Sequence, residues 1–124
     1  AVKHAHHDVD IDQPGRDSYR HRVAGASEVA LVGGRRYAIM REQAEPGLAE
    51  VLARLTPVDL VLVEGYKREA HDKIEVRAAG LPPLAAGDPN IVAIAGDAQP
   101  AEVNLPWFKR DDIAGIADFI AARL

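Results

Sequence analysis

Two short apolar runs are the features that most constrain the fold of this chain. In "VDLVLVEGYK" the run covers Val58 and residues 60–63, and in "NIVAIAGD" it covers residues 91–95. Nearly continuous runs of branched and apolar side chains are typical of strands that are covered on both faces in a parallel sheet. The two runs therefore predict a parallel sheet in an α/β domain.

The first part of the chain predicts one helix followed by one hairpin. A helix is expected over about residues 18–24, with Asp17 as its N-cap and Gly25 at its C-terminal end. Two apolar runs, over residues 29–32 and 37–40, flank a Gly-Gly turn. This arrangement predicts a β-hairpin.

Strands and helices alternate in the rest of the chain. Helical spacing of apolar residues predicts helices over residues 48–55 and 113–120, the second capped by Asp111 or Asp112. The stretch "KIEVRA" alternates and predicts a half-buried strand. The order of elements predicts an α/β fold, with a mostly parallel sheet flanked by helices and an inserted β-hairpin, in one domain over residues 1–124.

Composition and charge exclude several classes of function. The formal net charge is −4, whereas sequence-independent nucleic-acid binders usually carry a basic face. The absence of cysteine excludes disulfides, thiolate metal sites and a cysteine nucleophile. No apolar run approaches the roughly 18 residues of a membrane span, and no signal peptide is visible. We therefore expect a cytoplasmic protein with neither nucleic acid nor a membrane as its partner.

Polar residues follow both apolar runs, where a parallel sheet usually binds its ligands. Glu64 and Gly65 end the first run; an acid in this position of a nucleotide hydrolase helps to hold Mg²⁺, and glycine lets the backbone approach a phosphate. Asp97 ends the second run at the same predicted sheet edge and is placed to accept hydrogen bonds from a guanine base. The alternative is that both strands simply end in solvated turns.

The stretch "KHAHHDVDID" concentrates histidine and aspartate near the start of the chain. One interpretation is a metal site, which would draw on His4, His6, His7, Asp8, Asp10 and Asp12. On a strand, however, His4 and His6 share a face while His7 points away. A second interpretation is a mobile loop at a phosphate site, where His7 and Asp8 position water or move a proton. The third is a charged turn without chemistry.

The stretch "GRDSYRHR", which leads into the first predicted helix, carries three arginines, a serine and a histidine. Arginines spaced by two and four residues can hold a phosphate or pyrophosphate. The alternative is a solvated basic helix face.

Taken together, "KHAHHDVDIDQPGRDSYRHRVAGA", "DLVLVEGYK" and "KIEV" closely resemble the molybdopterin-guanine dinucleotide biosynthesis protein B (MobB) family, in order and in spacing. The resemblance implies a P-loop GTPase-like fold that binds GTP with Mg²⁺ and hydrolyses it weakly. It also implies a homodimer that acts as an adapter for molybdopterin and for the guanylyltransferase that joins GMP to it.

The resemblance also assigns roles by position. Glu64-Gly65 matches the Walker-B-like motif, with Glu64 as the Mg²⁺ residue. The stretch from His4 to Asp12 matches the switch-like loop after the second strand. In that loop we expect His4 to contact the nucleotide and His7 and Asp8 to be the catalytic pair. The polar helix start beside this loop is matched by Asp17, Ser18, Arg20 and His21.

One feature departs from the family pattern. The phosphate-binding motif G-x-x-x-x-G-K-[ST] does not occur in the chain, and "LVGGRRYA" has neither its spacing nor its Lys-Ser/Thr pair. We therefore expect the first strand, the P-loop and the first helix to be missing, so that this chain binds GTP poorly. Dimerisation through the hairpin over residues 29–40 would cover apolar surface that an incomplete sheet exposes. Two alternatives remain, a binding module that docks the guanylyltransferase or the pterin without hydrolysis, and a metal-dependent hydrolase.

Overall fold

The structure is a computed structural model that describes residues 1–5, 7, 9–78 and 80–124. The strands are β1 (Val2–Lys3), β2 (Glu28–Val32), β3 (Tyr37–Arg41), β4 (Val63–Glu64), β5 (Lys73–Arg77), β6 (Ile91–Gly96) and β7 (Trp107–Lys109). The helices are α1 (Asp17–Val23), α2 (Leu48–Leu52) and α3 (Ile113–Ala121), and a short 3₁₀ turn covers Leu84–Ala86. The chain divides into two compact units, Ala1–Tyr66 and Lys67–Leu124. The single domain over residues 1–124 stays a prediction.

The second unit contains a three-stranded parallel sheet in the order β5-β6-β7. The central strand β6 has a neighbour on each side, and Ile91, Ala93, Ile94 and Ala95 are buried in it. Ile94 is 1% exposed and is the largest fully buried side chain of the described residues. The apolar run over residues 91–95 is therefore a buried parallel strand, as the sequence predicts.

The first unit combines a parallel strand pair with an antiparallel hairpin. β1 pairs with β4 through Val2↔Val63 and Lys3↔Glu64. β2 and β3 pair in antiparallel register from Glu28↔Arg41 to Val32↔Tyr37. The parallel pairs, the inserted hairpin and the helices confirm the α/β fold class.

The predicted strand over residues 58–63 is wrong in its extent and in its burial. Only Val63 of this run pairs, together with Glu64, whereas Val58, Leu60 and Leu62 are 62%, 42% and 56% exposed. In the described residues β4 has one neighbouring strand, and that strand is two residues long. A ladder this short cannot extend the pairing toward residue 58, so the run remains on the surface despite its apolar character.

Helix α1 begins differently from the prediction and ends as predicted. Arg16 occupies the N-cap position without a side-chain cap, and Asp17 is the first helical residue, so its assignment as the N-cap is wrong. Gly25 has a φ of +102° and donates its N–H to the carbonyl of Arg22, while Ala26 donates to that of His21. These two hydrogen bonds form a Schellman motif, which favours glycine at the residue with the left-handed conformation.

Helix α3 is capped by Asp112, one of the two N-cap residues that the sequence predicts. The Asp112 carboxylate accepts a hydrogen bond from the N–H of Gly115 at 3.0 Å, as an N-cap does. Phe119 of this helix packs against Phe108 of β7, with ring centroids 5.4 Å apart. None of the helices in the described part of the chain has the length and hydropathy needed to cross a membrane.

Candidate functional site

The parallel strands β1 and β4 bring two distant segments together at their carboxyl ends. His4 follows β1 and donates its backbone N–H to the Glu64 carbonyl at 2.7 Å. Gly65 follows β4 with a φ of +89°, and a Cβ atom on it would lie 2.7 Å from the His4 Cβ. Glycine is therefore required here by both backbone conformation and space. Ligands of parallel sheets bind outside such strand ends.

The side chain of His4 is held in a small cluster. Its Nε2 lies 2.6 Å from Glu45 Oε1, and its ring stacks on Tyr66 with centroids 4.5 Å apart. The Tyr66 hydroxyl donates to the Pro46 carbonyl, although the Tyr66 backbone has a φ of +47°, which is unusual for a residue with a side chain. His4 is a predicted site residue, whereas Glu45 and Tyr66 carry no local sequence signal, because their contacts with His4 join distant segments of the chain.

Glu64 is the last residue of β4, and its side chain is exposed. Its Oε1 pairs with Lys3 Nζ at 2.5 Å, and both side chains are about 70% exposed. Because exposed ion pairs contribute little to stability, a cation could replace Lys3 at small cost. In the described residues no group of three histidine, aspartate or glutamate side chains converges, and His6 and Asp8 of the predicted metal set lie outside them.

The end of the His/Asp stretch is anchored to the start of α1. The Asp12 side chain is 3% exposed, and its Oδ1 accepts from the Ser18 hydroxyl at 2.8 Å and from the N–H of Gln13 at 3.0 Å. Ser18, predicted to contact the nucleotide, is thus bonded to Asp12.

Arg22 connects this stretch to the hairpin. Its guanidinium lies 2.6 Å from Asp10 Oδ2 and 3.2 Å from Glu42 Oε1, and its Nε is 3.8 Å from Asp12 Oδ2. The N–H of Asp12 and, secondly, the Arg22 guanidinium lower the pKa of Asp10, and the Asp10 carboxylate raises the pKa of Arg22. Tyr19 lies beneath the guanidinium at 5.1 Å.

The other predicted residues of α1 lie on its exposed surface. Arg20 Nη1 is 3.6 Å from Asp17 Oδ1, with both side chains at least 75% exposed. His21 lines a shallow depression together with these two residues. His7 is also exposed, and its predicted catalytic partner Asp8 lies outside the described residues. The structure therefore leaves Asp17, Arg20, His21 and His7 accessible, while their roles stay predictions.

Asp97 belongs to the second unit and directly follows β6. Its Oδ1 lies 2.9 Å from Arg110 Nη2, and both side chains are about half exposed. The two residues line an open depression with Gly96, Lys109 and Asp111 at the carboxyl ends of β6 and β7. Because Glu64 belongs to the other unit, the predicted common sheet edge stays a prediction.

Two further acidic residues of the second unit, which the sequence analysis did not single out, have structural partners. The buried Glu75 carboxylate accepts from the N–H groups of Leu84 and Ala85, each at 3.0 Å, and so holds the 3₁₀ turn against β5. Asp88 pairs with Lys73 Nζ at 2.7 Å. Both are satisfied within the unit, which assigns them to folding rather than to ligand binding.

Comparisons with known proteins agree on one family. The family "Molybdopterin guanine dinucleotide synthesis protein B" matches residues 1–97. The "Molybdopterin-guanine dinucleotide biosynthesis adapter protein" of Escherichia coli (strain K12) is 35% identical over 127 residues, covering 96% of this chain and 72% of that protein. The protein of the same name from Haemophilus influenzae is 39% identical over 123 residues, covering 96% of this chain and 68% of its own.

A solved structure supports the same assignment at the level of the fold. The crystal structure of molybdopterin-guanine biosynthesis protein B matches with a TM-score of 0.73 and 27% identity, covering 87% of this chain and 75% of that chain. With the family match over most of the chain and relatives of more than 30% identity, this chain belongs to the molybdopterin guanine dinucleotide synthesis protein B (MobB) family.

Proposed function

We propose that this protein is a GTP-binding adapter in the formation of molybdopterin guanine dinucleotide, assisting the attachment of GMP to molybdopterin. The adapter role rests on the names of the relatives that share most of its sequence. The GTP role rests on the parallel strand ends of β1 and β4, where Glu64-Gly65 meets His4. This juxtaposition of segments 61 positions apart is the observation that carries the proposal.

Each residue proposed to act on GTP has its own chemical task. Glu64 would hold Mg²⁺ or orient its water ligands, and Asp97, which belongs to the second unit, would accept hydrogen bonds from the guanine base. His7 and Asp8 position the attacking water, which gives weak hydrolysis at most. The residues present fit Mg²⁺ through one exposed carboxylate, as is common where phosphates supply further ligands.

Titration calorimetry tests nucleotide binding directly. We expect the full-length product of the gene that encodes this chain to bind GTP in a Mg²⁺-dependent manner, and Glu64→Gln to remove most of that dependence. Glu69→Gln is the matched control, since Glu69 is an exposed acid in the segment after β4 with no assigned role. The 124-residue chain is expected to bind GTP much more weakly, because it contains no G-x-x-x-x-G-K-[ST] sequence. Equal, metal-independent binding of GTP and ATP by the full-length protein would refute the proposed role.

A docking role without hydrolysis is the second candidate, and the hairpin favours it. Val32, Tyr37 and Ile39 alternate on one face of β2 and β3 and are 76%, 71% and 57% exposed. Exposed apolar side chains on a two-stranded hairpin mark a surface suited to contact with another protein. We propose that this face supports a homodimer in the cytoplasm or docks the guanylyltransferase, with molybdopterin as the shared ligand.

Light scattering over a range of protein concentrations tests the hairpin. If the face supports a dimer, Tyr37→Ser with Ile39→Ser will shift the protein toward monomers while preserving GTP affinity. Leu124→Ser is the control, because Leu124 is 71% exposed at the chain end and lies outside the hairpin. A protein that is monomeric at every concentration, with or without the substitutions, would exclude the homodimer and leave docking of the guanylyltransferase as the remaining role for this face.

A further inference from the structure

We infer that Arg22 is the positioning residue of the His/Asp stretch: its guanidinium bonds Asp10 and Glu42, ties the stretch to α1 and to the segment after β3, and so restricts where His7 lies. This inference rests on the proposed function, in which His7 and Asp8 act on the bound nucleotide. From the sequence, Arg22 is only one of three arginines that could hold a phosphate.

The contacts of Arg22 point inward to the protein rather than outward to a ligand. Its side chain is 20% exposed, whereas that of Arg20 on the same helix is 75% exposed. One guanidinium nitrogen pairs with Asp10, another with Glu42, and the third faces Asp12. Three carboxylates surround one cation, so an incoming phosphate would meet negative charge at this position.

The three carboxylates around Arg22 come from two separate segments of the chain. Asp10 and Asp12 belong to the His/Asp stretch, and Glu42 directly follows β3, where its N–H bonds the Ser27 carbonyl. The planar guanidinium presents several donors in a fixed geometry and bonds Asp10 and Glu42 at once, whereas a lysine ammonium is a compact point charge. Tyr19, one turn earlier on α1, supports the guanidinium from below.

The tether limits how far the predicted catalytic residues can move. His7 stands three positions before Asp10, and a fully extended chain of that length spans only about 10 Å. Fixing Asp10 and Asp12 therefore restricts the region that His7 can reach, without any contact between Arg22 and the nucleotide. Displacement of a catalytic group by about 1 Å can lower a rate by up to about 100-fold.

The test uses the full-length protein and three variants. Arg22→Gln removes the charge, and Arg22→Lys keeps the charge but not the planar fork. Arg54→Gln is the matched control, since Arg54 forms a comparable ion pair with Glu50 on α2 and touches no residue of the His/Asp stretch. The first readout is amide hydrogen exchange at Asp12 and Gln13, whose N–H groups bond Asp10 and Asp12, with Ile94 and Ala95 of β6 as an internal reference.

We expect Arg22→Gln to speed exchange at Asp12 and Gln13 by about 10-fold or more while β6 is unchanged. Its kcat for GTP hydrolysis should fall by about 10-fold or more at nearly constant KM, with Arg22→Lys intermediate. A purely structural role would instead accelerate exchange throughout the first unit. A changed KM with slow, unaltered exchange would mean that Arg22 binds phosphate, and would overturn the inference.

The two readouts also separate this inference from the proposed function. Faster exchange at Asp12 and Gln13 with an unchanged kcat would overturn the positioning role while hydrolysis stands. If the unaltered protein does not hydrolyse GTP, the catalytic role of His7 and Asp8 fails with the positioning role, and the exchange data decide only whether Arg22 anchors the stretch. An equal effect of Arg54→Gln on either readout would overturn the inference in every case.

Discussion

Strand β6 and the run over residues 58–63 look alike in sequence and differ in structure. Both are apolar, both are rich in branched side chains, and both end beside a glycine and an acid. β6 has strands on both sides and buries Ile91 and Ile94, whereas the other run pairs only at Val63 and leaves Leu62 56% exposed. The difference shows that apolar character predicts a strand's tendency to be buried, and that its neighbours decide whether the burial occurs.

The largest expected effect is on the free energy of unfolding, when one side chain in each run is truncated to alanine. Ile94→Ala should lower the free energy of unfolding by about 2–5 kcal/mol, because it leaves a cavity around a fully buried residue. Leu62→Ala removes a similar amount of side chain from an exposed position and should cost less than about 1 kcal/mol. Urea denaturation followed by circular dichroism measures both. Equal losses would show that the 58–63 run is buried in the protein in solution.

A smaller effect is expected from the glycine that ends the short strand pair. Gly65→Ala adds a Cβ that would lie 2.7 Å from that of His4, in a left-handed conformation, and should cost about 1–3 kcal/mol. Gly34→Ala in the hairpin turn meets no atom within 4 Å and should be nearly neutral. Thermal denaturation of the two variants compares them. If Gly65→Ala is as stable as Gly34→Ala, the close approach of β1 and β4 is not maintained in solution.

The smallest expected effect is on stability at low pH, where one aspartate from each unit can be compared. The N–H of Asp12, followed by Arg22, lowers the pKa of Asp10, and Lys73, followed by the N–H of Asn90, lowers the pKa of Asp88. Each group therefore contributes stability that is fully present above about pH 4 and is lost as the pH falls through its lowered folded pKa.

Carboxyl chemical shifts measured by NMR give both pKa values directly. Asp10→Asn and Asp88→Asn each remove a carboxylate whose protonation lowers stability. The free energy of unfolding of each variant should therefore fall less at low pH than that of the unaltered protein. Asp59→Asn is the control, because Asp59 lies in the exposed run and has no assigned partner. A folded pKa at or above the ordinary aspartate value for Asp10 would contradict its contacts with Asp12 and Arg22.

Local patterns predicted the elements whose partners are close in sequence. The hairpin follows from two apolar runs around a turn, the end of α1 from Gly25, and the start of α3 from Asp112. In each case the residues that satisfy the backbone lie within a few positions of one another. The fold class follows from the order of these elements, and the family resemblance agrees with the comparisons.

The site was predictable only in part, because its geometry depends on long-range contacts. Glu64 and Gly65 were recognised as a strand end, yet their partners Lys3 and His4 come from the start of the chain. Asp17 was predicted to cap α1, but Arg16 occupies the N-cap position without a side-chain cap, and the buried Asp12 accepts a hydrogen bond from the Ser18 hydroxyl. No local pattern distinguishes Arg22 from Arg20, since the carboxylates that bury Arg22 are placed by tertiary structure.

The division of the chain into two units also separates its chromophores. The single tryptophan, Trp107, lies half-buried in β7, where it pairs with Ile94. The three tyrosines, Tyr19, Tyr37 and Tyr66, all belong to the first unit, in α1, in β3 and beside His4. Indole emission therefore reports the buried sheet, and phenol signals report the nucleotide-site candidate and the hairpin. Intrinsic tryptophan and tyrosine signals can therefore follow the two units separately, without any added dye.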